Sequence, residues 1–279
     1  MKIVKSIDEL RTYLGEAKNE GKTIGLVPTM GYLHEGHASL IKSARKDNDI
    51  VVVSIFVNPT QFGENEDLDS YPRDLEADSK ICEKIGADFI FAPEASEMYK
   101  NAKTFVDIED LSNNLCGTKR PGHFRGVCTV CTKLFNITGA DRAYFGQKDA
   151  QQVAIIKKVV KDLNIPIEII PCPIVREEDG LAMSSRNAYL TDEQRIAARC
   201  LSRAIFKGEE LAKNGASVKE VLSTMEEIIS SEKHAKIDYI SAVDLETMED
   251  VDNFDGDRLV AIAVFVGKSR LLDNFILRG

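Results

Sequence analysis

Val27-Pro28-Thr29-Met30-Gly31-Tyr32-Leu33-His34-Glu35-Gly36-His37 decides how the chain is read. Ile24 to Val27 is a short apolar strand, and a helical pattern follows from about Gly36 to Lys46. The next apolar run, Ile50 to Val57, is almost continuously β-branched, as a strand buried on both faces must be. Further along, Asp74 to Ile85 reads as a helix, in which Leu75, Ala77, Asp78, Ile81, Cys82 and Ile85 mix an apolar stripe with charge. Asp88 to Ala92 reads as a strand, Phe105 to Ile108 as a short one, and Phe124 to Thr138 as a helix. Arg142 to Phe145 (strand), Ala150 to Leu163 (helix) and Ile165 to Ile170 (strand) continue the alternation. Such a pattern implies α/β architecture, a parallel sheet with helices on both faces.

The character changes at Pro171-Cys172-Pro173. Two helices follow, Thr191 to Asn214 and Val218 to Ser230, and then strands at Ile237 to Val243, Leu259 to Val266 and Leu271 to Leu277. Helices followed by strands indicate a smaller C-terminal α+β domain. The boundary is expected near residue 174, giving domains 1–174 and 175–279.

A net charge of −9 over 279 residues argues against general nucleic-acid binding, which needs a basic face. An anionic small molecule is still accessible to local Lys, Arg, His and backbone N–H groups. The first residues turn polar too soon for a secretory signal, and no apolar run is long enough to span a bilayer. Six scattered cysteines, Cys82, Cys116, Cys128, Cys131, Cys172 and Cys200, fit reduced thiols in a cytoplasmic protein. Cys128 and Cys131 form one C-x-x-C. With no second pair it is a weak zinc signal, and Val127, Val130, Cys131, Leu134 and Phe135 read instead as a helical core stripe.

Four segments carry polar chemistry at strand ends, where open α/β sheets bind ligands. The first is the opening stretch. A helix N-terminus offers unpaired N–H groups to phosphate, His34 and His37 lie one turn apart, and Gly36 lets a nucleotide approach the backbone. The second is Asn58-Pro59-Thr60-Gln61-Phe62-Gly63, whose amides can both donate and accept, or simply make a turn. The third is Phe145-Gly146-Gln147-Lys148-Asp149-Ala150-Gln151-Gln152, with Lys148 as a point cation and Asp149 as a candidate helix cap. The fourth, Arg176 to Asn187, contains Met183-Ser184-Ser185-Arg186, two hydroxyls and a guanidinium suited to pyrophosphate. Its bland alternative is a polar linker with an Arg salt bridge. Gly117 to Arg125 is a further basic segment; His123 and Arg125 border a pocket or sit on a solvated loop.

The first segment resembles the HIGH-type signature of nucleotidyltransferases, and Met-Ser-Ser-Arg is similar to the KMSKS loop of class I aminoacyl-tRNA synthetases. Taken in order, PTMGYLHEGH (28–37), SIFVNPTQFGENEDLDSYPR (54–73), RPGHFRGV (120–127), YFGQKDAQQ (144–152) and VREEDGLAMSSRN (175–187) resemble the pantothenate synthetase family, the pantoate–β-alanine ligases, over essentially the whole chain. The resemblance implies a Rossmann-like domain plus a smaller C-terminal domain, normally as a homodimer. It implies ATP-dependent joining of (R)-pantoate to β-alanine through a pantoyl-adenylate, with release of AMP and pyrophosphate. Mg²⁺ is expected to accompany ATP without a protein cage.

The resemblance also implies roles. His34, His37, Lys148, Ser184, Ser185 and Arg186 act on ATP phosphates or on charge developed during adenylation. Pro28, Thr29, Met30, Gly31, Gly36, Gly146, Asp149, Val175 and Met183 complete the ATP site, with Asp149 on the ribose. Met30, Asn58, Gln61 and Gln152 take pantoate. No metal ligands and no catalytic cysteine are implied. Two rivals differ in class. An adenylyltransferase shares the HIGH-type start but keeps the nucleotide in its product. A non-catalytic nucleotide-binding module needs no loop like Ser184 to Arg186.

Overall fold

The computed structural model describes residues 1–64 and 66–279; Asn65, inside the 54–73 motif, lies outside the described residues. The chain forms two compact units. Met1–Glu109, Arg120–Gln147 and Ile155–Pro173 make the first; Asp110–Lys119, Lys148–Ala154 and Ile174–Gly279 make the second. The last crossing falls beside residue 174, but two short excursions also belong to the second unit. One buried side chain ties these excursions to each other: Gln151 accepts from Cys116 N at 3.0 Å and donates to Leu111 O and Asn114 O at 2.9 and 2.8 Å. Composition carries no mark of such a tie.

In chain order the first unit contains β1 (Lys2–Val4), α1 (Ile7–Asn19), β2 (Ile24–Thr29), α2 (Glu35–Asp47), β3 (Ile50–Ile55), α3 (Leu75–Ile85), β4 (Phe89–Phe91) and α4 (Ala95–Tyr99). After α5 (Cys116–Lys119), which lies in the second unit, come α6 (His123–Thr138), β5 (Arg142–Gly146), α7 (Ala150–Asp162), whose residues up to Ala154 belong to the second unit, and β6 (Glu168–Cys172). The strands form one sheet of order β1-β4-β3-β2-β5-β6, parallel throughout. Val27, Val51, Val53 and Ile90 pack on Leu40, Ile41 and Ala44 of α2 and Cys82 of α3. The alternate residues Leu26 and Val52 are equally buried, so both sheet faces are covered, as the β-branched run requires. From β2 the chain proceeds to β3 and β4 on one side, whereas β5 and β6 lie on the other. The order therefore reverses between β2 and β5, which places a crevice at their carboxyl ends.

Three local readings change. Residues 105–108 form no strand, because the N–H and C=O of Val106 both pair with Thr129 Oγ1 of α6. The last strand is shifted from 165–170 to Glu168–Cys172, because Ile165 N still bonds to Val160 O and closes α7. The terminal β1 and α1 are additional elements. α1 begins at a Ser6 side-chain cap and buries Leu10, Leu14 and Ala17 along one face.

The second unit adds α8 (Asp192–Lys213) and α9 (Val218–Ser230), followed by β7 (Ala235–Asp244), β8 (Arg258–Val266) and β9 (Ser269–Leu277) in an antiparallel sheet of that order. Thr191 with Gln194 and Ser217 with Glu220 make reciprocal capping boxes at the two helix starts. Leu201, Ile205, Val221 and Met225 of the helices pack on Val260, Ile262 and Val264 of β8. Among the described residues no helix is long and apolar enough to cross a membrane. All six cysteines are unpaired and buried. Burial pushes the Cys128 thiol up to about 12 and Cys131 higher still, which removes both as nucleophiles at neutral pH.

Candidate active site

In the first unit the site begins where β2 ends at the sheet's reversal point. Thr29 Oγ1 donates to Ser54 O at 2.7 Å and accepts from Gly31 N at 3.2 Å, so the loop leaves β2 in a fixed direction. Gly31 and Tyr32 then take φ values of +84° and +52°. For a residue with a Cβ, such as Tyr32, that conformation costs roughly 1–2 kcal/mol. Asp78 of α3, only 2 % exposed, offsets the cost by accepting from Tyr32 N at 2.9 Å and Leu33 N at 2.7 Å. Burial raises the Asp78 carboxyl above its ordinary range, against the lowering effect of those two amides.

His34 is the N-cap of α2, and His37 is the third residue of that helix. Nδ1 of His34 accepts from Gly36 N at 3.1 Å, and Nδ1 of His37 accepts from His34 N at 3.4 Å. The pair is a capping box built from two imidazoles, their ring centroids 4.1 Å apart. An accepting Nδ1 places the neutral ring's proton on Nε2. Each histidine thus carries an Nε2–H donor at the positive end of a 13-residue helix. The sequence pairs these residues by spacing; the structure adds their tautomer. At the carboxyl end of β5, a Cβ on Gly146 would meet nothing within 4 Å. Protein packing does not require a glycine there, whereas close approach of a ligand would.

Asn58 and Gln61 flank the 3₁₀ turn Pro59–Gln61 after β3. Asn58 is 1 % exposed and bonded on every side: Nδ2 donates to Gln61 Oε1 at 3.0 Å and Gly126 O at 3.1 Å, while Oδ1 accepts from Tyr99 and Thr60 hydroxyls at 2.8 and 2.9 Å. Both ends of this amide are thus engaged within the protein. What Asn58 does is hold Gln61. Gln61 in turn directs Nε2 to Met30 Sδ at 2.9 Å, which brings two expected ligand contacts from separate loops together.

Other expected site residues lie in the second unit. Lys148 and Asp149 lie in the 3₁₀ turn Gln147–Asp149, with Lys148 Nζ 3.7 Å from Asp149 Oδ2. Asn274 of β9 anchors this turn by donating to Lys148 O at 3.0 Å. Gln151 and Gln152 look alike in sequence but differ in place. Gln151 is the internal tie described above; half-buried Gln152 makes no side-chain hydrogen bond among the described residues.

Residues 175–187 fold back on themselves. Met183 N donates to Val175 O at 3.0 Å, Arg176 and Ala182 form a bridge, and Gly180 at φ +89° makes the bend. Val175 and Met183 are thereby brought side by side, and Ser184 caps the 3₁₀ helix Ser185–Tyr189 by accepting from Arg186 N at 3.3 Å. Asn187 locks the loop through Glu177 Oε1 at 2.7 Å and Ala182 O at 3.1 Å. Arg176 makes a bidentate pair with Asp273 of β9 at 2.7 and 2.9 Å. The segment is no plain linker: its salt bridge fastens a shaped loop carrying two hydroxyls and a guanidinium. Among the described residues no group of three or more His, Cys, Asp or Glu is placed to cage a metal ion.

Asp78, Arg176 and Asp273 hold the loops that carry the expected site residues, and sequence reading assigned no such role to Asp78 or Asp273. The available signal was a carboxylate on the apolar stripe of α3, which is costly without buried partners.

Comparison with known proteins places these motifs in a single family. A model of the pantoate-beta-alanine ligase family matches residues 2–276. The pantothenate synthetase of Clostridium novyi is 57 % identical, covering 99 % of this chain and 98 % of its own. That of Acetivibrio thermocellus is 56 % identical over 99 % of each. The crystal structure of pantothenate synthetase from Thermus thermophilus is similar with a TM-score of 0.94 at 42 % identity, covering 99 % of both chains. A pantoate-beta-alanine ligase from Francisella tularensis, complexed with beta-gamma ATP and beta-alanine, has a TM-score of 0.83 at 36 % identity over 99 % of this chain and 97 % of its own. Matched in sequence and in fold from end to end, the chain belongs to the pantoate–β-alanine ligase family.

Proposed function

We propose that the protein condenses (R)-pantoate with β-alanine, converting ATP to AMP and pyrophosphate. A carboxylate is a poor acylating agent toward an amine at neutral pH. In the proposed first step a pantoate carboxylate oxygen attacks the α-phosphorus and pyrophosphate leaves, giving pantoyl-adenylate. In the second the amine of β-alanine attacks the acyl carbon, loses a proton, and AMP departs with that oxygen. The observation that carries this reading is the imidazole capping box. It presents two Nε2–H donors at a helix N-terminus, where negative charge builds on phosphate during adenylation.

Lys148, Ser184, Ser185 and Arg186 supply charge and hydroxyls to the phosphates, and Gly36, with no side chain, lets them approach the backbone. Pro28, Thr29 and Gly31 shape the nucleotide loop; Gly146, Val175 and Met183 line the adenosine, and Asp149 bonds the ribose. Gln61 and Gln152 hold pantoate by its carboxylate or hydroxyls, with Met30 against its geminal methyl groups. Asn58 supports Gln61. Mg²⁺ would accompany ATP and supply positive charge to its phosphates. A cytoplasmic homodimer is the assembly that the resemblance implies.

Incubation with ATP, pantoate, β-alanine and Mg²⁺, followed by mass spectrometry, tests the reading. Pantothenate and AMP are expected in equal amounts. A product that retains the adenylyl group would assign the chain to the adenylyltransferases instead.

A further inference from the structure

The turn that carries Gln61 is clamped by an element some sixty residues later. The first turns of α6 lie against Pro59–Gln61 so closely that a Cβ on Gly126 would stand 2.4 Å from Thr60 O and 2.6 Å from Gln61 Cα. His123, at the start of α6 and 8 % exposed, places Nδ1 2.9 Å from Gln61 O. A carbonyl oxygen only accepts, so Nδ1 carries a proton. Arg120 Nη1 lies 3.0 Å from His123 Nε2, and a guanidinium only donates, so Nε2 is the accepting nitrogen. Two partners thus select one neutral tautomer. Arg120 is itself gripped by Glu66, Nε to Oε1 and Nη2 to Oε2 both at 2.6 Å, with both side chains largely buried. Burial alone would raise the Glu66 carboxyl, but the Arg120 pair outweighs it and holds that carboxyl below its ordinary range.

Glu66, Arg120, His123 and the Gln61 carbonyl therefore form one network of fixed donors and acceptors, in which His123 makes the short bond to that carbonyl at 2.9 Å and Arg120 Nη2 a longer one at 3.4 Å. It ends on the main chain of the residue whose side chain reaches Met30. We infer that His123 is a positioning residue for pantoate recognition: the Glu66–Arg120 pair sets the imidazole, and the imidazole sets Gln61. The inference rests on the proposed role of Gln61. It assigns the basic segment 117–125 a task that composition left open. It also makes His123 a neutral donor to backbone, not a cation facing the substrate.

Two substitutions divide the imidazole's functions. His123→Asn keeps a donor near the Nδ1 position, whereas His123→Gln keeps an acceptor near the Nε2 position and loses the bond to Gln61. Steady-state assays of the full chain at saturating ATP and β-alanine give KM for pantoate, a quantity independent of how much enzyme is correctly folded. His123→Gln is expected to raise that KM by about tenfold with kcat nearly unchanged, the effect of one lost hydrogen bond, while His123→Asn stays within about threefold. Equal impairment of KM by the two variants would overturn the inference, as would a fall in kcat with KM unmoved, which would place His123 on the reacting groups. Gln61→Ala run alongside separates the two levels. If it leaves pantoate KM unchanged, the role of Gln61 is wrong. If it raises KM while the His123 variants fail their expected order, only the clamp is wrong.

Discussion

His37→Ala and Lys148→Ala are each expected to slow adenylation by about a hundredfold or more, the usual consequence of removing one group that stabilises transition-state charge. For His37 the expectation has a confounding element, because its Nδ1 also accepts from His34 N. Loss of such a cap costs roughly 0.5–2 kcal/mol of stability. His37→Gln separates the two effects. Glutamine is a natural acceptor at this position of a capping box, so it restores the backbone bond without the imidazole Nε2–H. The alanine variant should melt at lower temperature, the glutamine variant close to the unsubstituted chain, and both should lose the rate. Lys148 is held at its backbone by Asn274, so truncation of its side chain should leave the turn in place. Single-turnover AMP formation checks all three. Near-normal rates in both alanine variants would remove these residues from the chemistry.

Gln61→Ala and Gln152→Ala should act on pantoate instead of ATP. Each leaves polar groups of a compact hydroxy acid unpaired, at roughly 1–3 kcal/mol per lost partner. That corresponds to about a five- to 150-fold weaker affinity. The Gln61 variant should show the larger effect, because Gln61 is buried and preset by Asn58 and by its contact with Met30. Equilibrium binding of pantoate to each variant is the check. Unchanged pantoate affinity with weakened ATP affinity would move these glutamines to the nucleotide.

The central sheet was legible because a strand buried on both faces must be apolar at every position, and Ile50 to Ile55 is such a run except at Ser54. The C-terminal helices lie where the sequence placed them, and side-chain caps at Thr191 and Ser217 begin them. Phe105 to Ile108 misled because β-branched and aromatic residues favour extended backbone wherever they pack, and here a threonine hydroxyl takes the pairing that a neighbouring strand would supply. The site divides in the same way. Spacing revealed His34 and His37, which are neighbours along one helix. It did not separate Gln151 from Gln152, because that difference lies in partners far away in sequence. Asp78 is the plainest instance: it acts on backbone 45 residues earlier, and its only local trace is a charge on an apolar stripe.

Adenylation of pantoate before the amine reacts is open to a direct test by isotope exchange between pyrophosphate and ATP. The first step must run backwards on the enzyme if pantoyl-adenylate forms without β-alanine. Labelled pyrophosphate should therefore enter ATP when pantoate and Mg²⁺ are present and β-alanine is absent, and should not enter when pantoate is omitted. Exchange that appears only after β-alanine is added, or that proceeds without pantoate, would contradict the account.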